Sequence, residues 1–351
     1  MDALKLVGVS LVLASSASLA ETGQDESLLA VRAAEKTVTS PTSNARNAAL
    51  SASSRLSDLL NHPAFAGFSH LLLPWDDRSY DGEMRLSDIG TLLPYHSQVV
   101  PDVVVGALNR MIGDVNTGQR IFFDFYTEAQ KQVDPSKRPT GLFFLRGKPG
   151  APFAVIAPGG GFSYVGSVHE GFPYAVEINA QGYNAFVLKY RVGHGGGAAT
   201  QDLAAALTYI LDNAAALGVG RQDYSVWGSS AGARMAASIG SHGVAAFGGK
   251  HLPRPATVVM AYTGHSDYSS NEPPTFIVVG DHDGIALPSV MKRRADTLKR
   301  AGTAVEYRQY SNVGHGFGTG VGTSAEGWVS DATCFWERFI ATGHTAPQSR
   351  E

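Results

Sequence analysis

The apolar run Tyr224-Ser225-Val226-Trp227 passes straight into Gly228-Ser229-Ser230-Ala231-Gly232, and that pentapeptide passes straight into a helix-like stretch at residues 233–239. A strand that becomes a helix within five residues needs glycine on both sides of the turn, because a Cβ there would collide with neighbouring backbone. The apex residue, Ser230, is then held in a strained conformation at the end of its strand, which makes it a candidate nucleophile. The pentapeptide alone is a short pattern. Its weight depends on whether strands and helices alternate around it and whether partners for Ser230 follow at strand ends.

The alternation is present. Phe153–Ala157 is a continuous apolar run, as expected of a strand buried on both faces. A helical stretch at 173–181, a strand at 185–190, a long helix at 201–217 and the strand at 224–227 come next. Strands at 257–262, 275–279 and 305–310 and helices at 287–300 and 325–341 complete the series. In the long helix Leu203, Leu207, Ile210, Leu211, Ala214 and Leu217 form one stripe, Thr200 is placed to cap it, and Asp202 falls in its first turn. The pattern predicts an α/β fold, a mostly parallel central sheet with helices on both faces. Upstream, a helix at 103–112 and strands at 121–125 and 141–145 are expected. The division predicted is a leader at 1–20, an Ala/Ser/Thr-rich segment at 21–54, an N-terminal extension at 55–140, a catalytic core at 141–342 and a tail at 343–351.

A serine hydroxyl is a weak nucleophile without a general base. The strand at 275–279 ends in Gly280-Asp281-His282-Asp283-Gly284, and the strand at 305–310 is followed by Asn312-Val313-Gly314-His315-Gly316. Small residues flank each candidate and let its loop turn back over Ser230. His315 is the expected base and Asp283 the favoured acid, since it lies further past its strand end than Asp281. The other aspartate then hydrogen-bonds within the loop, and His282 is exposed. Pro158-Gly159-Gly160-Gly161-Phe162 follows directly on the strand at 153–157. Its glycine amides, at Gly160 and Gly161, together with that of Ala231, form a candidate oxyanion hole, at roughly 2.7–4 kcal/mol per donor. Read in isolation, the same glycines could cradle a phosphate, but no P-loop lysine or G-x-G-x-x-G spacing accompanies them. Gly193-His194-Gly195-Gly196-Gly197 follows the next strand instead and reads as a flexible loop near the rim.

The order of serine, acid and histidine, each beyond its own strand, resembles the α/β-hydrolase superfamily, more narrowly its esterase branch. Ala157 to Phe162, His169-Glu170-Gly171 and Val187-Leu188-Lys189-Tyr190-Arg191 are similar to the bifunctional feruloyl/acetyl-xylan esterase group and to hormone-sensitive-lipase-like esterases. The resemblance covers roughly residues 140–342. It implies a serine carboxylic-ester hydrolase that works through an acyl-enzyme on short-acyl or carbohydrate-linked acetyl or feruloyl esters, with no cofactor. Pro158 stands where relatives carry histidine, and Ala233 where many carry glycine; neither change removes a backbone amide. A serine peptidase or amidase and a non-catalytic binding protein of the same fold are the alternatives.

The chain between residues 262 and 275 is too short to hold an inserted lid. Two roles therefore stand open for the N-terminal region through Phe65, Phe68 and residues 71–75: walling the substrate pocket, or packing on the sheet edge. A net charge of −3 and 17% charged residues offer no basic surface for nucleic acid. Cys334 is the single cysteine, which excludes an intrachain disulfide and a cysteine metal cluster, and its aromatic-rich helix predicts a buried thiol. No metal motif is present. Lys5, the apolar stretch at residues 6–13 and Ser18-Leu19-Ala20 fit an export leader, so a secreted or periplasmic protein without a membrane anchor is expected.

Overall fold

The computed structural model describes residues 49–340. The expected leader, most of segment 21–54 and the tail lie outside the described residues. Eight strands, β1 (Phe122–Phe123), β2 (Gly141–Leu145), β3 (Phe153–Ala157), β4 (Asn184–Lys189), β5 (Ser225–Ser229), β6 (Thr257–Ala261), β7 (Thr275–Gly280) and β8 (Val305–Tyr310), form one sheet. Their order is β1-β2-β4-β3-β5-β6-β7-β8, and β2 alone runs against the others. Every residue of β2 through β7 is buried, which accounts for the apolar runs at their centres. Six longer helices cover the sheet: α1 (Pro101–Asn116), α2 (Phe172–Ala180), α3 (Gly195–Asp212), α4 (Ala231–His242), α5 (Pro288–Arg300) and α6 (Trp328–Ile340). One group is formed by α1, α2 and α6, and another by α3 and α4.

The register positions the site. Ala157, the last residue of β3, pairs with Gly228 of β5, and Ser229 pairs with Ala261 of β6. The loops leaving β3, β5, β6, β7 and β8 thus share one end of the sheet, where a parallel α/β sheet offers its crevice.

Four expectations are corrected. Helix α3 begins at Gly195, so the Gly-rich run is its first turn and not a flexible loop. Glycine is a poor helix former, which hides this start from propensity, but a Cβ on Gly196 would come within 3.1 Å of the Phe162 ring. Thr200 is consequently interior, its hydroxyl donating to Gly196 O at 2.7 Å, and is not a cap. Asp202 is buried beyond the first turn, where it accepts from Tyr126 Oη at 2.7 Å and from Arg191 N at 2.7 Å. Cys334 is exposed. Helix α6 turns Trp328, Val329, Ala332, Phe335 and Trp336 inward and leaves Cys334 on the outer side with Ser330 and Glu337.

Candidate active site

Ser230 joins β5 to α4 with φ 49° and ψ −113°, a conformation that L-residues avoid. The flanking glycines follow from close approach. A Cβ on Gly232 would lie 1.8 Å from Ala157 O, and one on Gly228 would lie 2.2 Å from Gly232 O. Gly232→Ala is expected to destabilise the fold by about 3 kcal/mol or more, because the atoms its Cβ would meet, Ala157 O and Pro158 O, are backbone and cannot swing aside. A denaturant midpoint within error of the wild type would contradict this.

The structure brings Ser230, His315 and Asp283 together. His315 Nε2 lies 2.9 Å from Ser230 Oγ, and His315 Nδ1 lies 2.8 Å from Asp283 Oδ2. A carboxylate only accepts, so the pair places the imidazole proton on Nδ1 and leaves Nε2 to accept the serine hydroxyl. Asp283 is buried, and its second oxygen takes the N–H groups of Ile285 at 2.9 Å and Ala286 at 2.6 Å, which fixes the carboxylate plane. Asp281 is exposed and accepts from Asn312 N at 2.7 Å, bracing the loop that carries His315. His282 is exposed as well.

A cavity of about 650 Å³ opens over the serine. Gly161 and Ala231 line it, and among the described residues no backbone acceptor takes either N–H. Ala231 also opens α4, whose dipole favours negative charge at that end. Gly160 does not line the cavity. It is buried with φ 132°, and a Cβ there would meet Tyr164 O at 2.1 Å. Phe162, Phe247 and Ile285 give the cavity apolar surface, while Arg234, His265 and Asp267 make another part polar. Asp267 lies 3.1 Å from His242 Nε2, whereas the Arg234 guanidinium has no acidic partner among the described residues. Burial, with the nearby Arg294 and Arg234 charges, holds His265 down at about 4, so it is neutral near pH 7.

Behind the glycine loop sits a carboxylate, Glu170 of the His169-Glu170-Gly171 motif, to which the sequence assigned no role. Glu170 is fully buried. Its Oε2 accepts from Gly159 N at 2.6 Å, and its Oε1 accepts from Tyr262 Oη at 2.7 Å and lies 3.0 Å from His96 Nε2. Burial would raise this carboxyl, but His96 beside it prevails and holds it at about 2. Burial and the neighbouring His96 lower His169 to about 4. The one available signal was the glutamate itself, since an acid in a buried helical entry requires partners. His96 carries no local signal.

Comparison with known proteins fits this geometry. A family model described as BD-FAE matches residues 146–252, which hold the glycine loop and Ser230; a prolyl oligopeptidase family model matches residues 253–342, which hold Asp283 and His315. An acetylxylan esterase of Xylanibacter ruminicola is 31% identical over 97 residues, 27% of this chain and 20% of that relative. The chain thus covers about a fifth of that curated relative's length. Among solved structures, an acetyl ester-xyloside bifunctional hydrolase from Caldicellulosiruptor lactoaceticus has a TM-score of 0.55 at 21% identity, covering 62% of this chain and 96% of that one. A Thermogutta terrifontis esterase gives 0.52 at 19%, over 65% and 94%. The chain has the α/β-hydrolase fold.

Within this fold none of Phe65, Phe68 and residues 71–75 lines the cavity beside Ser230. Phe65 and Leu71, Leu72 and Leu73 are buried in the core, and Phe68 stacks on Phe122 of β1 at 4.7 Å and meets Phe143 of β2 at 6.0 Å. These contacts lie against the side chains of β1 and β2, at one end of the strand order. The N-terminal region reaches the site elsewhere, at Tyr95, His96 and Ser97.

Proposed function

We propose that this protein is a serine esterase that hydrolyses carboxylic esters through an acyl-enzyme. The observation that carries the reading is the pair of contacts through one imidazole, 2.9 Å to Ser230 Oγ and 2.8 Å to Asp283 Oδ2. In this reading Ser230 attacks the ester carbonyl while His315 Nε2 takes its proton. The carbonyl oxygen, now anionic, rests on the amides of Gly161, in the glycine loop beside Gly160, and of Ala231, at the start of α4. His315 returns the proton to the departing alkoxide, and Asp283 stabilises the imidazolium without itself becoming protonated. Water then repeats the sequence on the acyl-serine. No step requires a cofactor.

For the substrate we propose short-acyl esters, including acetyl or feruloyl groups on carbohydrate. The acetylxylan esterase relative and the polar wall formed by Arg234, His265 and Asp267 support a hydroxyl-rich alcohol portion. The prolyl oligopeptidase match over the acid and histidine supports a second reading, peptide-bond hydrolysis. A panel of nitrophenyl esters of rising acyl length, with acetylated xylan, methyl ferulate and a peptide nitroanilide, separates the two. Turnover falling with acyl length, and release of acetate from xylan, are expected. Turnover of the nitroanilide alone would establish the peptidase instead, and no turnover with no fluorophosphonate labelling of Ser230 would leave only a binding protein.

A further inference from the structure

We propose that Glu170 and His96 form a buried clamp that shapes the oxyanion loop and seats His315, so that the segment around residues 95–97 is part of the catalytic apparatus. The proposal deepens the esterase reading and rests on it. Neither matched family model reaches His96, and neither residue belongs to the triad.

The clamp has two arms. In the first, Glu170 Oε2 holds Gly159 N at 2.6 Å, one residue before the glycines of the oxyanion loop. Gly159 is pressed between this carboxylate and the nucleophile turn: a Cβ there would lie 2.7 Å from Glu170 Oε2, 2.9 Å from Ser229 O and 3.0 Å from Ser230 Cβ. Glu170 Oε1 holds Tyr262 Oη, and the Tyr262 ring stands edge-on to the His315 ring at a centroid distance of 5.2 Å. One carboxylate therefore sets the glycine loop and the aromatic face behind the base. The second arm comes from far upstream. His96 Nε2 lies 3.0 Å from Glu170 Oε1, an ion-pair distance without hydrogen-bond alignment, and His96 Nδ1 lies 2.8 Å from Tyr164 Oη. The next residue, Ser97, donates its hydroxyl to His315 O at 2.7 Å and its N–H to Gly316 O at 3.0 Å.

A fully buried acid is strongly disfavoured unless fixed donors surround it, and here every one of its donors belongs to or touches a catalytic loop. Oxyanion amides accelerate a reaction only when they are already aimed, and a displacement of about 1 Å can cost about 10²-fold in rate. Glu170 and His96 are thus positioning residues: they touch no substrate and act through the loops they hold.

Glu170→Gln retains an acceptor but loses the charge, and His96→Gln removes the other half of the pair. Each is expected to lower kcat for nitrophenyl acetate by about 10-fold, and Glu170→Ala by about 10²-fold, with KM within about 2-fold of wild type. Affinity for a trifluoromethyl ketone, which forms the tetrahedral adduct, is expected to fall in parallel with kcat. A merely structural role would lower Tm and leave kcat and ketone affinity of the folded enzyme unchanged, and that result would overturn the clamp. Should Glu170→Ala fail to fold, the two glutamine variants decide the matter. Wild-type protein inert toward the whole ester panel would refute the esterase reading itself, whereas an active wild type with unaffected glutamine variants refutes the clamp alone.

Discussion

Ser230→Ala is expected to lower kcat/KM toward every ester by about 10⁴- to 10⁶-fold, with the folded structure retained. The magnitude follows from removing the nucleophile from a unit whose members act together, so that what remains is the slower attack of water in a site with its oxyanion donors intact. Alanine fits without strain from bulk, since Ser230 Oγ makes its contact with His315 Nε2 and the backbone bond from Ser230 N to Ala261 O is untouched. The unfavourable φ of 49° persists, which argues against a gain in stability beyond about 1 kcal/mol. Steady-state rates with nitrophenyl acetate and loss of fluorophosphonate labelling measure the effect. Residual activity above about 1% of wild type would mean that another group is the nucleophile. Ser229 is no substitute, because it is buried and its hydroxyl lies 3.2 Å from Tyr174 Oη.

The second large effect separates two aspartates two residues apart. Asp283→Asn is expected to lower kcat by about 10⁴-fold near neutral pH, because an amide facing His315 Nδ1 no longer fixes the tautomer that leaves Nε2 free to accept the serine proton. It also gives up the stabilisation of the imidazolium that forms during attack. Asp281→Asn is expected to change kcat by less than about 2-fold. Its one role in the loop, accepting the Asn312 N–H at 2.7 Å, passes to the asparagine oxygen at a cost of at most about 1 kcal/mol. Kinetics of both variants under identical conditions check the assignment. Equal losses would mean that loop integrity, not tautomer control, links this segment to activity, and a larger loss at Asp281 would reverse the roles.

Most strands were legible because a strand buried on both faces must be apolar throughout, and Phe153–Ala157 or Thr275–Gly280 shows this within a handful of residues. Helix starts were less so. Helix α3 opens on three glycines that propensity counts against; the Phe162 ring crowds a side chain on Gly196 and Gly195 has φ 76°, while nothing crowds Gly197. Cys334 is exposed although its helix is rich in aromatic residues, because an amphipathic helix buries only one side. Gly160 and Gly161 look equivalent as letters, yet Gly160 is buried and Gly161 lines the cavity.

By itself the chain's sequence determined the alternation of strand and helix, the strained serine turn, and the acid and histidine beyond their strands, because each is a local matter of period, small residues and backbone room. Only the tertiary structure decided which loops meet. The sheet order sets β3 beside β5, which brings the glycine loop to Ser230, and folding carries Ser97 to His315 across 218 residues. The contacts of Glu170 and His96 likewise depend on where the folded backbone places two distant segments. No periodicity records such a meeting, since a side chain's partner across the fold leaves no trace in its neighbours along the chain.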